Sequence, residues 1–268
     1  MDLATVLGLL IAAIGILGGF AFEGGSLMSL VNIPGFMIVV VGTLGATMTS
    51  FPLEKIIGIP RLYITALVAR AGVHARHMSN ELVKMADKAR REGLLSLEEE
   101  AQAIDDAFAR KGLMLVIDGT DPDALRSIME IDIDGLAARH RENAKVFEAA
   151  GAFAPTLGVL GAVLGLITVL ANLGGDPSEL GLGIATAFVA TIYGFVLANV
   201  ILLPIAEKLK IRSQEERMVR EMILEGIVSI QAGDNPRIVR EKLNSFLAPG
   251  ERDDGSKEPD EDAGQEAA

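Results

Sequence analysis

The sequence predicts an all-α protein of the inner membrane, with four transmembrane helices and a helical cytoplasmic domain. Three observations lead there. All 24 lysines and arginines fall within residues 55–145 and 208–257. The basic-free stretches hold four uncharged runs, 3–22, 24–53, 149–175 and 180–206. Between and after them, apolar residues recur at three and four rather than two, the helical period. One helical crossing takes about 20 mostly apolar residues, so each run is long enough. Basic loops stay on the cytoplasmic side, so four crossings put the N-terminus, residues 54–148 and everything after 206 inside. The two outside connections carry Glu23, Asp176 and Glu179 and no basic residue.

The elements follow in order. Residues 1–53 form a first hairpin. The run 3–22 lacks the basic flank of a signal peptide, and Asp2 has the wrong sign for one, so it reads as a retained crossing. Residues 23–32 form a Gly/Ser-containing outside turn. Pro34-Gly35 suits a helix start, and Pro52 a helix end. Residues 54–148 form the cytoplasmic helical domain, with Leu62, Ala66 and Val73 marking one apolar stripe. Breaks are expected near Gly93, at Gly112 and at 119–122, where Asp121-Pro122-Asp123 opens a helix with acid in its first turn. That helix runs on past Glu142 into the second hairpin, 149–206. Residues 207–248 form C-terminal cytoplasmic helices. Leu209, Met218, Met222, Ile223 and Ile227 share a face expected to pack on the other cytoplasmic helices, with a lipid-surface element the alternative, and Gly233-Asp234-Asn235-Pro236 forms the turn. Residues 249–268 form an acidic disordered tail: residues 251–268 hold eight acidic and two basic side chains, half of the net charge of −12.

Composition excludes several functions. The acidic balance argues against nucleic acid, which requires a basic face. Absence of cysteine removes disulfides, thiolate metal sites and cysteine catalysis. The three histidines, His74, His77 and His140, are too scattered for a metal site, and no metal is expected. No nucleotide-binding loop or catalytic triad occurs, so the chain is read as no enzyme and needing no cofactor.

None of the four uncharged runs contains Asp, Glu, Lys, Arg or His. Such groups mark ion pathways in membranes, so either the chain moves no ions or a partner supplies the titrating group. The third and fourth spans carry small-residue stripes: Gly151, Gly158, Gly161, Ala162 and Gly165 on one, and Gly183, Ala187, Ala190, Gly194 and Ala198 on the other. Such stripes let helix backbones approach, either for packing within the chain or as the wall of a channel. Thr156, Thr168 and Asn172 lie beside the first stripe; Thr186, Thr191, Tyr193 and Asn199 lie beside the second. Pro155 and Pro204 each remove a backbone donor inside a helical run. They are expected to couple membrane packing to the cytoplasmic domain.

Residues 154–165 (Ala-Pro-Thr-Leu-Gly-Val-Leu-Gly-Ala-Val-Leu-Gly) and 190–194 (Ala-Thr-Ile-Tyr-Gly) resemble the flagellar stator A-subunits of the MotA/PomA type. Pro204 with Glu207-Lys208-Leu209, the turn 233–237 and the segment 90–98 (Arg-Arg-Glu-Gly-Leu-Leu-Ser-Leu-Glu) extend the likeness over nearly the whole chain. The resemblance implies a homo-oligomeric ring, a pentamer, around a B-subunit that has one transmembrane helix and an ion-binding aspartate. Ion flow would drive the ring against the switch protein of the rotor's C-ring. It further implies ion-path lining by Thr156, Ala162, Thr186, Ala190 and Thr191, and rotor contact by Arg90 and Glu98. Sodium-driven relatives carry threonine where this chain has Ala162, so the expected ion is the proton, with sodium the alternative because Thr156 offers a hydroxyl nearby. Three other readings stand beside this one. ExbB/TolQ-type energisers of outer-membrane processes have three spans; a self-contained transporter would need mid-membrane binding groups; a structural scaffold would lack the aspartate-bearing partner.

Overall fold

The computed structural model describes residues 3–60, 62, 64, 71–171 and 177–252. Asn172, Asp176, Ala66 and the tail beyond 252 lie outside the described residues, as do the side chains of Val73, His74 and Glu179. Every regular element among the described residues is helical, and four helices are long and apolar enough to cross a membrane. The chain divides into two compact units, residues 1–69 with 138–213 and residues 70–137 with 214–268.

The first unit holds the apolar spans. Helix α1 (Leu3–Phe22) has no fully enclosed residue; apart from the partly buried Thr5, Leu9, Ala12, Gly18 and Phe20, its surface is left for lipid or another chain. Helix α2 (Ile33–Ser50) starts at Asn32, whose side chain accepts from the Gly35 N–H, with Pro34 in its first turn. A π-helical turn, Met37–Val41, widens it. A short helix, α3 (Leu53–Ile57), follows Pro52, the predicted stop. The third span is the apolar part of α7 (Pro122–Ala171), one unbroken helix of 50 residues with Pro155 inside. The fourth is α8 (Pro177–Val196), which passes through a second π segment, Leu197–Leu202, into α9 (Leu203–Gln231). Pro204 follows that segment directly. The turn ahead of a proline must open to relieve the clash with a preceding carbonyl. Here it opens by π register, the Leu203 N–H reaching back to the Ala198 carbonyl.

The second unit is built on an aliphatic core. Helix α4 (Ala71–Glu92) ends at Gly93, whose φ of 88° only glycine adopts without strain. A 3₁₀ turn (Leu94–Leu97) then leads into α5 (Glu98–Ala103). Asp106 caps α6 (Ala107–Ile117) by accepting from the Phe108 and Ala109 N–H groups, at 2.9 and 2.8 Å. The start of α7 is capped by Asp121, which accepts from Asp123 and Ala124. Asn235 caps α10 (Pro236–Asn244), with Gly233 turning at a φ of 72°. Leu82, Leu97, Leu113, Leu125, Met129, Ile223, Ile227 and Leu243 are fully enclosed between these helices.

Two expectations are corrected here. Gly112 does not break a helix. It lies inside α6, where a Cβ would come within 2.5 Å of Ile227 Cδ1 and 2.7 Å of Met129 Cε, so it is a close-packing position. Met218 does not join the apolar face of Met222, Ile223 and Ile227; it is half exposed, whereas those three are enclosed.

Candidate functional site

The third and fourth spans cross with their backbones in close contact. At Gly158 an added Cβ would lie 3.0 Å from the Ala190 carbonyl oxygen and 3.2 Å from the Cα atoms of Thr191 and Gly194. At Gly194 it would lie 2.5 Å from the Ala154 carbonyl oxygen and 3.1 Å from Pro155 Cα. Gly161 and Gly165 meet Ala190 and Ala187 in the same way, at 2.9 and 2.7 Å between Cβ positions. The two stripes read from the sequence therefore face each other, backbone on backbone, as small residues permit in lipid.

The second span joins this contact, which the sequence did not disclose. A Cβ added at Gly35 would lie 3.2 Å from Ala190 Cβ, and one added at Gly161 would lie 3.5 Å from Ile38 Cγ2. Ala190 thus sits where three spans meet and is almost wholly buried. A polar link closes the same region. The Asn32 side chain donates to the Thr186 carbonyl at 2.7 Å, and the Asn32 N–H donates to the Tyr193 hydroxyl at 2.9 Å. Tyr193 in turn donates to the Leu30 carbonyl and meets the Phe36 ring edge-on. Asn32 is buried, so each bond also removes the cost of leaving a polar group unpaired there. An asparagine directly before an Ile-Pro-Gly helix start was the available signal for this link. Nothing in the sequence signalled that Tyr193 would reach it.

The five predicted ion-path residues do not form one surface in this chain. Thr186 and Ala190 line a recess of about 580 Å³ with Asn32, Gly161 and Thr168. Thr191 faces the third span, its hydroxyl 3.4 Å from the Gly158 carbonyl. Ala162 is buried. Thr156 is exposed and outside that recess, donating to the Phe153 carbonyl at 2.7 Å. Thr186 likewise donates within its own helix, to Leu182 at 2.8 Å. Pro155 lies at the closest approach of the two spans, and Pro204 lies just after the π segment.

Arg90 and Glu98, the predicted rotor contacts, both lie in the second unit and are exposed. Flanking them in sequence, Lys88 donates to Glu100. That hydrogen bond holds the Glu100 carboxyl below its ordinary range and raises the Lys88 ammonium. Arg90 makes no side-chain hydrogen bond or ion pair among the described residues. Glu98 accepts only a long one, from Gln102 at 3.5 Å. This end of the unit therefore presents Arg90 and Glu98 to solvent, with the exposed Leu95 nearby.

Fold and site define a four-span, all-helical membrane protein whose spans pack through glycine and whose apolar runs carry no Asp, Glu, Lys, Arg or His. Residues 100–222 match the model of the MotA/TolQ/ExbB proton channel family. Motility protein A of Treponema pallidum (strain Nichols) is 38% identical over 255 residues, covering 93% of this chain and 95% of that protein. Chemotaxis protein PomA of Vibrio alginolyticus is 36% identical over 258 residues, covering 94% and 98%. The structure of the flagellar MotAB stator complex from Bacillus subtilis superposes with a TM-score of 0.86 at 35% identity, covering 92% of this chain and 97% of that one. The chain belongs to the MotA/TolQ/ExbB proton channel family and, within it, to the MotA/PomA type.

Proposed function

We propose that this chain is the A-subunit of a proton-driven flagellar stator, with both termini and residues 54–148 and 207–248 on the cytoplasmic side. A ring of copies, a pentamer by the family resemblance, encloses the single transmembrane helix of a B-type partner. That partner's aspartate carries the ion, and the ring turns ion flow into torque on the rotor. The observation that carries this reading is the join of three spans at Ala190: a close-packed wall with no acid of its own. A wall of this kind is suited to enclosing a carboxylate brought by another chain. The likeness to a MotAB stator complex supports the partner.

Proton coupling is favoured by the oxygen inventory. A dehydrated sodium ion requires several oxygen ligands converging on one point. Ala162 offers none, and the hydroxyls of Thr156, Thr186 and Thr191 each lie against a carbonyl in a different part of the bundle. Proton transfer requires only the partner's carboxylate and a water path. Swimming of cells driven by this stator should persist when sodium is replaced by potassium at constant pH; a halt would assign sodium instead.

Torque transfer is assigned to Arg90 and Glu98, since both are exposed and only lightly engaged. Arg90→Glu and Glu98→Lys should each lower swimming speed while membrane insertion and co-purification with the B-type partner stay at wild-type levels. Unaltered motility in both variants would remove the assignment. Pro155 and Pro204 are proposed to relay movement of the partner helix along their spans.

A further inference from the structure

A second recess in the first unit lies apart from the glycine crossing. It has a volume of about 410 Å³ and runs between the start of α1 and the end of the fourth span. Gly8 and Ala12 form one wall, and Ile201 and Pro204 form the other. The walls are apolar, and a Cβ on Gly8 would meet nothing within 4 Å. At one end the recess stops at Lys208, which donates to the Thr5 hydroxyl. Its lining on α1 extends from Ala4 to Ala12. At 1.5 Å of rise per residue that is about 12 Å, most of one leaflet's share, about 15 Å, of the bilayer core.

We infer that this groove binds one anionic phospholipid from the leaflet on the Lys208 side. An acyl chain lies between α1 and the fourth span, and the headgroup phosphate is held at Lys208 and the Thr5 hydroxyl. Three features select this occupant. A helix with no buried residue opens the groove sideways to lipid. The groove's length fits a chain that enters from a headgroup rather than a side chain reaching in. Its single cation stands at the polar end, where a phosphate would be, and the remaining lining is apolar except for Asn199, whose amide donates to the Phe195 carbonyl of its own helix. The Thr5 hydroxyl can donate to a phosphate oxygen while still accepting from Lys208. The inference requires only that the spans lie in a bilayer; it is independent of which ion, if any, the assembly moves.

The test is native mass spectrometry of the full chain in complex with its one-span partner, exchanged into detergent containing either phosphatidylglycerol or phosphatidylethanolamine. Wild type should retain lipid and prefer phosphatidylglycerol by about fivefold, the worth of one lysine at an anionic surface. Lys208→Gln should retain lipid but lose that preference, and Lys208→Arg should keep it. Gly8→Leu, which places a side chain in open space, should lose retention of both lipids. Equal retention by wild type and Gly8→Leu would overturn the site. An unchanged preference in Lys208→Gln would overturn the headgroup assignment. Wild type without any retained lipid would hand the groove to a neighbouring copy and overturn the inference outright. Motility is not the readout, so a wrong ion or rotor assignment would leave these results unaffected.

Discussion

Main-chain contact at glycine separates the two units of this chain: among the described glycines it occurs at the crossing in the first unit and not in the core of the second. In the second unit, Gly112 and Gly226 sit beneath the ends of flexible side chains: Ile227 Cδ1 and Met129 Cε over one, Leu82 Cδ1 at 2.8 Å over the other. In the first unit, Gly158 and Gly194 sit against main-chain atoms of the neighbouring span. The difference follows from the solvent. In water, burying leucine and isoleucine drives folding at roughly 25 cal/mol per Å², and the second unit encloses large aliphatics accordingly. In lipid an apolar side chain gains nothing by leaving the solvent, so helices associate where backbones can touch.

The most direct way to break this comparison is one methyl group placed in each unit. Gly194→Ala sets a Cβ 2.5 Å from the Ala154 carbonyl oxygen, which cannot move without shifting a span. We expect a loss of about 3 kcal/mol or more, the upper range of overpacking, seen as lost co-purification with the B-type partner and lost motility. Gly226→Ala meets only the side chains of Leu82 and Leu243 and should cost about 1 kcal/mol, offset in part by the better helix propensity of alanine. Equal effects would show that the main-chain contact does not govern the crossing.

A truncation sharpens the same contrast from the other side. Leu113 is fully enclosed in the second unit, so Leu113→Ala should cost about 3 kcal/mol from lost transfer energy and a residual cavity. Ile167, 56% exposed on the third span, should cost less than about 0.5 kcal/mol as Ile167→Ala, because its methyls leave one apolar medium for another. Unfolding titrations in detergent micelles would measure both. A large loss at Ile167 would show that this face of the span is covered by another chain instead of lipid.

The same difference decides what could be read from the sequence. The spans were legible because charge is excluded from them throughout, and a lipid environment makes that pattern nearly absolute. Gly93, Asp121-Pro122 and Gly233–Pro236 were legible as boundaries because cap chemistry is local. Gly112 was misread because a glycine required for close packing looks the same in sequence as one required for a turn. Met218 was misplaced because an apolar residue near the right phase need not point inward. The site was half legible: the stripes were visible along each helix, but their meeting at Ala190 with α2 depends on contacts more than a hundred residues apart. Asn32 carries no charge or metal-ligand pattern, so only its placement before Pro34 hinted at a role. The Tyr193 link closes across 161 residues and had no sequence signal at all.

The smallest effect concerns a charge network of the second unit centred on Lys242. Lys242 donates to Asp234 and to the buried Ser229 hydroxyl, each at 3.0 Å, and pairs with Glu225 at 3.2 Å. Its hydrogen bond holds the Asp234 carboxyl below the usual range, and the same contact raises Lys242. Asp234 therefore contributes fully above its unfolded value of about 3.9, and the contribution fades as pH falls through its lower folded value. Lys242 contributes fully below about 10.4 and loses its contribution as pH rises through its higher folded value. The side chains are 40% and 29% exposed, so solvent screening limits the pair to about 1 kcal/mol. Lys242→Met should then speed amide exchange in α10 about fivefold at neutral pH, after correction for intrinsic rates. That ratio should shrink toward one as pH falls through the folded value of Asp234. A ratio that stays constant with pH would mean that Lys242 holds α10 through its aliphatic stem and not through its charge.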